Sequence, residues 1–140
     1  MHELTGQCLC GAVTITVQSE SPRLRACHCD MCRRHTSAMF MSISVAPDTM
    51  IIDGPATSYV SSDWAERGFC ATCGSTLWYG TREDGMRHPA AGLFDNAAGA
   101  ELKLEFFSDR CPTGYALAGD HRRLDTDETI KLFTSQGDTQ

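Results

Sequence analysis

The chain has 140 residues, of which 41% are hydrophobic and 21% are charged, and its formal net charge is −6. This length is close to the commonest domain size and can bury a core without disulfide support. The acidic balance argues against nucleic-acid binding, which depends on a basic face, and no apolar run approaches the roughly 18 residues of a transmembrane helix.

Alternating and β-branched segments predict a mainly β fold. Residues 13–17 and 39–45 alternate apolar and polar side chains, as half-buried strands do. Between them, residues 33–38 are expected to form one or two helical turns. Shorter strands are expected, in chain order, at residues 51–52, 57–61, 65–69, 76–79, 90–93 and 102–107. We expect a single domain over residues 1–133, followed by a polar tail over residues 134–140.

Seven of the eight cysteines fall into three tight clusters. The N-terminus lacks the basic-then-apolar layout of a signal peptide, so we expect a cytoplasmic protein whose thiols stay reduced. Clustered thiols in that setting indicate metal ligands rather than disulfides. The clusters are Cys8 and Cys10; Cys27, Cys29 and Cys32; and Cys70 and Cys73, with Cys111 standing alone.

Zinc is the metal that this pattern favours. A disulfide framework is the first alternative, but cysteines one or two residues apart form strained, labile bridges. An iron–sulfur cluster is the second alternative, but the spacing matches neither ferredoxin pattern. Soft thiolates select zinc, and short Cys-x-x-Cys turns are its usual ligand holders.

Seven thiolates divide naturally into a closed site of four and an open site of three. Gly11 follows Cys10 and Gly74 follows Cys73, and a glycine there permits the left-handed turn that aims backbone amides at sulfur. These two similar turns indicate one structural zinc held by Cys8, Cys10, Cys70 and Cys73. Cys27, Cys29 and Cys32 would hold a second, more labile zinc with one exchangeable position.

Three runs together resemble the family of glutathione-dependent formaldehyde-activating enzymes, whose domain is shared with centromere protein V. The runs are Gly6-Gln7-Cys8-Leu9-Cys10-Gly11-Ala12-Val13, Cys27-His28-Cys29-Asp30-Met31-Cys32-Arg33-Arg34, and Arg67-Gly68-Phe69-Cys70-Ala71-Thr72-Cys73-Gly74-Ser75. The resemblance implies the same division of ligands and a fold of small antiparallel sheets, in a tent-like or sandwich arrangement around the structural zinc. Ser37 departs from the pattern, since members of the family often carry glycine there.

The resemblance also implies a carbon–sulfur lyase or synthase that joins a small thiol, such as glutathione, to a small aldehyde, such as formaldehyde. Cys27, Cys29 and Cys32 would form the catalytic zinc site. Three thiolates leave that site with a net charge of about −1, which Arg33 and Arg34 would offset while they bind the carboxylates of the thiol.

Two other functions stay open at this point. One is a non-catalytic zinc module that binds protein or nucleic acid, and the other is a zinc enzyme that acts on another small electrophile with the same site. His28 is expected to be a spacer or a hydrogen-bond donor behind the ligands rather than a ligand. Cys111 is either a free thiol or the fourth ligand of the second site, and the oligomeric state is not predicted.

Overall fold

A computed structural model describes residues 1–135, and over this range the protein is mainly β, with small antiparallel sheets and two helices. This confirms the predicted fold class. Within these residues no helix is both long and apolar enough to cross a membrane. The strands are β1 His2–Gln7, β2 Thr14–Ser19, β3 Arg23–Cys27, β4 Phe40–Ile43, β5 Ile51–Asp53, β6 Ala56–Val60, β7 Ala65–Cys70, β8 Thr76–Thr81, β9 Arg87–Pro89, β10 Glu101–Phe106 and β11 Arg122–Arg123; the helices are α1 Asp30–Thr36 and α2 Thr126–Ser135.

The chain divides into two compact units, the first of which comprises Met1–Leu24 and Ser42–Glu101. It contains a three-stranded sheet of order β1-β2-β5 and a four-stranded sheet of order β6-β7-β8-β9, both antiparallel. Ile15 and Val17 are fully buried along β2, as the alternation of that segment requires. Gly68 lies opposite Trp78 in the β7–β8 ladder, and a side chain at residue 68 would overlap the indole ring.

The second unit comprises Arg25–Met41 and the segment that begins at Leu102. It contains most of the sheet of order β11-β10-β3-β4 and both α-helices. The short strand β11 pairs with β10 in parallel. The aromatic rings of Phe106 on β10 and Phe133 on α2 lie 5.3 Å apart and help to cover the buried side of β10.

Helix α1 is a short helix that begins within the second cysteine cluster. The sulfur of Cys29, its N-cap residue, accepts a hydrogen bond from the backbone amide of Cys32. The helix ends at Thr36, and its C-cap residue, Ser37, has a φ of 77° in the left-handed region. Glycine is the residue that adopts this conformation without strain, so the observed backbone would suit glycine at residue 37.

Several predicted elements differ from the structure. The strand expected at residues 90–93 is wrong, because Ala91–Leu93 forms a 3-10 turn, and only Ala90 keeps a bridge, to Ser42. Helix α2 was not expected and takes in residues 134 and 135 of the predicted polar tail, while residues 136–140 lie outside the described range. The single-domain boundary at residue 133 stays a prediction.

We expect Ser37→Gly to stabilise the protein by roughly 0.5–1 kcal/mol, since relief of a left-handed backbone outweighs the added entropy of the unfolded chain. Urea denaturation monitored by circular dichroism measures the change. Arg34→Gly, inside the same helix, should instead destabilise it by about 1 kcal/mol. Equal effects of the two substitutions would show that the conformation of residue 37 carries no strain.

Candidate metal centres

The first unit gathers four thiol groups into one cluster. The sulfurs of Cys8, Cys10, Cys70 and Cys73 all lie within 4.8 Å of one another. The sulfur of Cys10 lies 3.6 Å from that of Cys8 and 3.9 Å from that of Cys70. Cys8 and Cys70 are almost completely buried, whereas Cys10 is exposed. Two short segments that are 60 residues apart in the chain therefore meet through their sulfur atoms.

Both segments form a tight turn that closes at a glycine, over four residues in the first and five in the second. The amide of Gly11 donates to the carbonyl of Cys8, and the amide of Gly74 donates to the carbonyl of Cys70. The two glycines have φ values of 80° and 79°, which places them in the left-handed region. The backbone amides that this geometry frees point at sulfur, with Val13 donating to Cys8 at 3.3 Å and Cys73 donating to Cys70 at 3.4 Å. Each turn is thus shaped to stabilise a thiolate.

Ser75 links the two turns and was not singled out from the sequence. Its hydroxyl accepts a hydrogen bond from the amide of Leu9 at 3.0 Å and lies 3.1 Å from the sulfur of Cys73. Hydrogen bonds from the hydroxyl and backbone of Ser75 lower the pKa of Cys73 to about 5. One member of the cluster is therefore ready to ionise at neutral pH even before a cation is considered.

The second unit gathers three thiol groups. The sulfurs of Cys27, Cys29 and Cys32 lie within 4.8 Å of one another, at the end of β3 and the start of α1. We call residues 27–32 the ligand loop. The hydrogen bonds of Cys27 with the thiols of Cys29 and Cys32, together with burial, raise the pKa of Cys27 well above its usual range. Three adjacent thiols therefore do not ionise together unless a cation neutralises them.

Both donor sets fit a metal ion. Four thiolates around a tetrahedral ion with metal–sulfur bonds of about 2.3 Å would lie about 3.8 Å apart. The measured separations of 3.6 Å and 3.9 Å in the four-cysteine cluster agree with this value. The three-cysteine cluster supplies one ligand fewer, and within the described range Cys111 is not part of it. The sulfur of Cys111 lies instead 3.6 Å from the carbonyl oxygen of Tyr115.

Charged side chains surround the ligand loop. Asp30 lies between two of the cysteines, and its carboxylate accepts hydrogen bonds from Arg110 at 2.6 Å and from Arg33 at 3.4 Å. The hydrogen bond from Arg110 holds the pKa of Asp30 below its usual range. Arg33 is thus hydrogen-bonded to a residue of the loop, whereas Arg34 is exposed on the same helix. Asp30 and Arg110 are two residues of this site that the sequence did not single out.

A buried carboxylate lies behind the ligand loop. Glu105 on β10 is 3% exposed, and it accepts hydrogen bonds from His28, at 2.7 Å, and from His121. Arg123 completes the group, with its Nε 3.1 Å from the carboxylate. Burial alone would raise the pKa of Glu105, but the hydrogen bonds from His121 and His28 lower it below its usual range. We call Glu105, His28, His121 and Arg123 the carboxylate cluster.

A mainly β chain that carries a cluster of four cysteines and a smaller cluster of three, each of which could hold a metal ion, defines a class of cysteine-rich proteins. Residues 3–110 match the family described as glutathione-dependent formaldehyde-activating enzyme. The chain belongs to this family, as the resemblance of its cysteine motifs predicted. The predicted class, an enzyme of the carbon–sulfur lyase kind, is confirmed at the level of the family.

Named relatives agree with this assignment. An uncharacterized lyase of Schizosaccharomyces pombe is 32% identical over 133 residues, which covers 94% of this chain and 97% of the relative. A putative glutathione-dependent formaldehyde-activating enzyme of Halomonas elongata is 30% identical, with 89% and 98% covered. A crystal structure of a Rhodobacter sphaeroides protein matches with a TM-score of 0.56 at 20% identity, covering 86% of this chain and all of that one, and so supports the fold.

Loss of one ligand from the four-cysteine cluster should unfold the first unit. A structural zinc site contributes about 10–16 kcal/mol, which is comparable with the whole stability of about 7–20 kcal/mol expected for a chain of this length. We expect Cys70→Ser to lose the tightly held ion and the cooperative unfolding transition, as measured by elemental analysis and thermal denaturation. Cys111→Ser is the matched control and should keep both.

The buried carboxylate makes stability depend on pH. Because the pKa of Glu105 is lower in the folded state, its contribution is present above the unfolded pKa, near 4.3, and is lost as the pH falls through the folded value. We expect Glu105→Gln to lose about 3 kcal/mol or more at pH 7 and the difference from the native protein to shrink as the pH falls below about 4.3. Chemical denaturation at successive pH values measures this difference.

Glu83→Gln is the control for the pH experiment, since Glu83 is an exposed glutamate in the turn after β8. Its free energy of unfolding should follow that of the native protein at every pH. A constant difference between Glu105→Gln and the native protein from pH 7 to pH 3 would contradict the assignment of an ionised, stabilising carboxylate.

Proposed function

We propose that this protein is a zinc-dependent carbon–sulfur lyase or synthase that adds a small thiol, such as glutathione, to a small aldehyde, such as formaldehyde, and catalyses the reverse reaction. The observation that supports this proposal is the ligand loop, which brings three sulfurs within 4.8 Å of one another next to exposed positive charge. The reaction resembles that of an S-(hydroxymethyl)glutathione synthase. We place it in the cytoplasm, where glutathione is abundant and cysteines stay reduced.

Two zinc ions with different tasks follow from the two donor sets. Cys8, Cys10, Cys70 and Cys73 would close a tetrahedral structural site, which leaves no position for a substrate. Cys27, Cys29 and Cys32 would hold the second ion with one position open. Zinc in such a site supplies a position where a further thiolate can bind and exchange. The second ion is expected to be the more labile one, because it has one protein ligand fewer.

The side chains around the ligand loop would bind and orient the thiol. The ligand set has a net charge of about −1 with a divalent ion, so a negatively charged thiol needs compensation. Arg34 is exposed on α1, and Arg33 forms an ion pair with Asp30. The guanidinium groups of both arginines suit the carboxylates of glutathione. In the reaction a carbon–sulfur bond forms, the carbonyl double bond becomes a single bond, and the thiol proton ends on oxygen. No oxidant or reductant is needed.

The names of the relatives support the same reaction class, since one is called a lyase and another a putative glutathione-dependent formaldehyde-activating enzyme. An enzyme that acts on another small electrophile would use the same ligand loop, and aldehydes other than formaldehyde test that alternative. A non-catalytic module would bind zinc equally well but would not accelerate the reaction. The net charge of −6 makes nucleic acid an unsuitable partner for such a module.

The test is the rate of exchange between glutathione and its hydroxymethyl adduct, measured by exchange NMR with zinc-loaded protein. We expect the native protein to raise this rate above the uncatalysed rate. Cys29→Ser should return the rate to the uncatalysed level and lose the labile ion while keeping the tight one. Cys111→Ser should retain the native rate, since its thiol is not part of the three-cysteine cluster.

Two results would contradict the proposal in different ways. A protein with both sites loaded and no acceleration of the exchange would exclude this reaction for this chain. Equal acceleration with glutathione and with 2-mercaptoethanol, which has no carboxylates, would retain the reaction but exclude Arg33 and Arg34 as carboxylate-binding residues.

A further inference from the structure

His28, which lies between Cys27 and Cys29, makes two hydrogen bonds to strand β10. The backbone amide of His28 donates to the carbonyl oxygen of Phe106 at 3.1 Å. Its imidazole Nε2 lies 2.7 Å from the Oε1 atom of Glu105. The side chain is 1% exposed, and its Nδ1 has no hydrogen-bond partner among the described residues. Within this part of the chain, Glu105 is therefore the group whose hydrogen bond sets the orientation of the ring.

Glu105 is itself held from the other side. Its Oε2 atom accepts a hydrogen bond from His121 and lies 3.1 Å from the Nε of Arg123. Arg123 is fixed in turn, because its guanidinium donates to the carbonyl oxygen of Leu117 at 2.9 Å. Because these two side chains occupy Oε2, Oε1 remains directed at His28. The carboxylate thus bridges the ligand loop and a segment close to the C-terminus.

The ligand loop is also tied at a second point. Asp30, which lies between Cys29 and Cys32, pairs with Arg110 at 2.6 Å. Cys29 is therefore flanked on each side by a residue that is bound to β10 or to the turn that follows it. Three sulfurs bind an ion tightly only when the backbone that carries them is already in place, because ordering a loop costs conformational entropy at the moment of binding.

We propose that the carboxylate cluster positions the ligand loop, so that His121 and Arg123 set the metal affinity of the three-cysteine site. Both residues lie beyond the family match, which ends at residue 110. The inference rests on the proposed function, since it takes the ligand loop to be a metal site. The four residues are positioning residues and act on the ion through Cys27 and Cys29. Hydrogen-bond partners behind metal ligands typically contribute 10–100-fold to metal affinity.

The experiment is a titration of Co²⁺ into protein whose tight site already holds zinc, followed by the sulfur-to-cobalt charge-transfer absorption. We expect His28→Leu and His121→Ala to weaken Co²⁺ binding by about 10–100-fold. His28→Gln, which retains a donor near the position of Nε2, should recover most of the affinity. Arg122→Ala is the matched control, because Arg122 is an exposed neighbour of Arg123 and should leave the affinity unchanged.

The outcomes separate this inference from the function on which it rests. Native protein that binds no Co²⁺ beyond the tight site would overturn both. The native protein binding Co²⁺ at the second site, with folded His28→Leu and His121→Ala variants that match its affinity and spectrum, is a different outcome. It would overturn the positioning role alone. If these variants do not fold, Arg123→Ala decides, because its side chain is 45% exposed and its loss is milder; native affinity in that variant would overturn the inference.

Discussion

The structure depends on one electrostatic constraint. Thiolates that lie close enough to bind the same metal ion repel one another, so they cannot all be ionised unless a cation is present. Seven sulfurs are gathered into two groups, each within 4.8 Å. In the absence of a cation, hydrogen bonds between neighbouring thiols and burial oppose ionisation, as the raised pKa of Cys27 indicates. A divalent cation reverses this balance and makes the same proximity favourable. Binding of a cation to either group would therefore be coupled to the folding of the unit that carries it.

The two clusters are supported by different parts of the chain, one by backbone amides and the other by side chains. In the four-cysteine cluster the backbone provides this support, since the two turns direct the amides of Val13 and Cys73 towards sulfur. Such turns are local and rigid, and they suit a site in which the protein supplies all four ligands. In the ligand loop, side chains from distant positions hold the backbone, through Glu105 on His28 and Arg110 on Asp30. Support by side chains of this kind can be altered by single substitutions, for example at Glu105 or Arg110.

The sequence predicted the mainly β fold and the grouping of the cysteines because both depend on local patterns. Alternation predicts β2, and a glycine after a cysteine predicts the left-handed turn. The carboxylate cluster could not be predicted in this way. Glu105 occupies the polar face of an alternating strand, which predicts exposure, yet tertiary packing buries it among His28, His121 and Arg123. Helix α2 was missed because its sequence is largely polar, and tertiary contacts such as that of Phe133 with Phe106 stabilise it.

The burial of Glu105 needs a reason beyond stability. A buried carboxylate with two histidines and an arginine gains little over an apolar core, because desolvation offsets most of the attraction. Such a group is nevertheless directional, whereas apolar packing is not, and it fixes which way the ring of His28 faces. Three ligands hold an ion less firmly than four, so the loop that carries them has more to gain from a fixed backbone. Under the proposed function, the order that the buried carboxylate gives to the ligand loop offsets the cost of burying its charge.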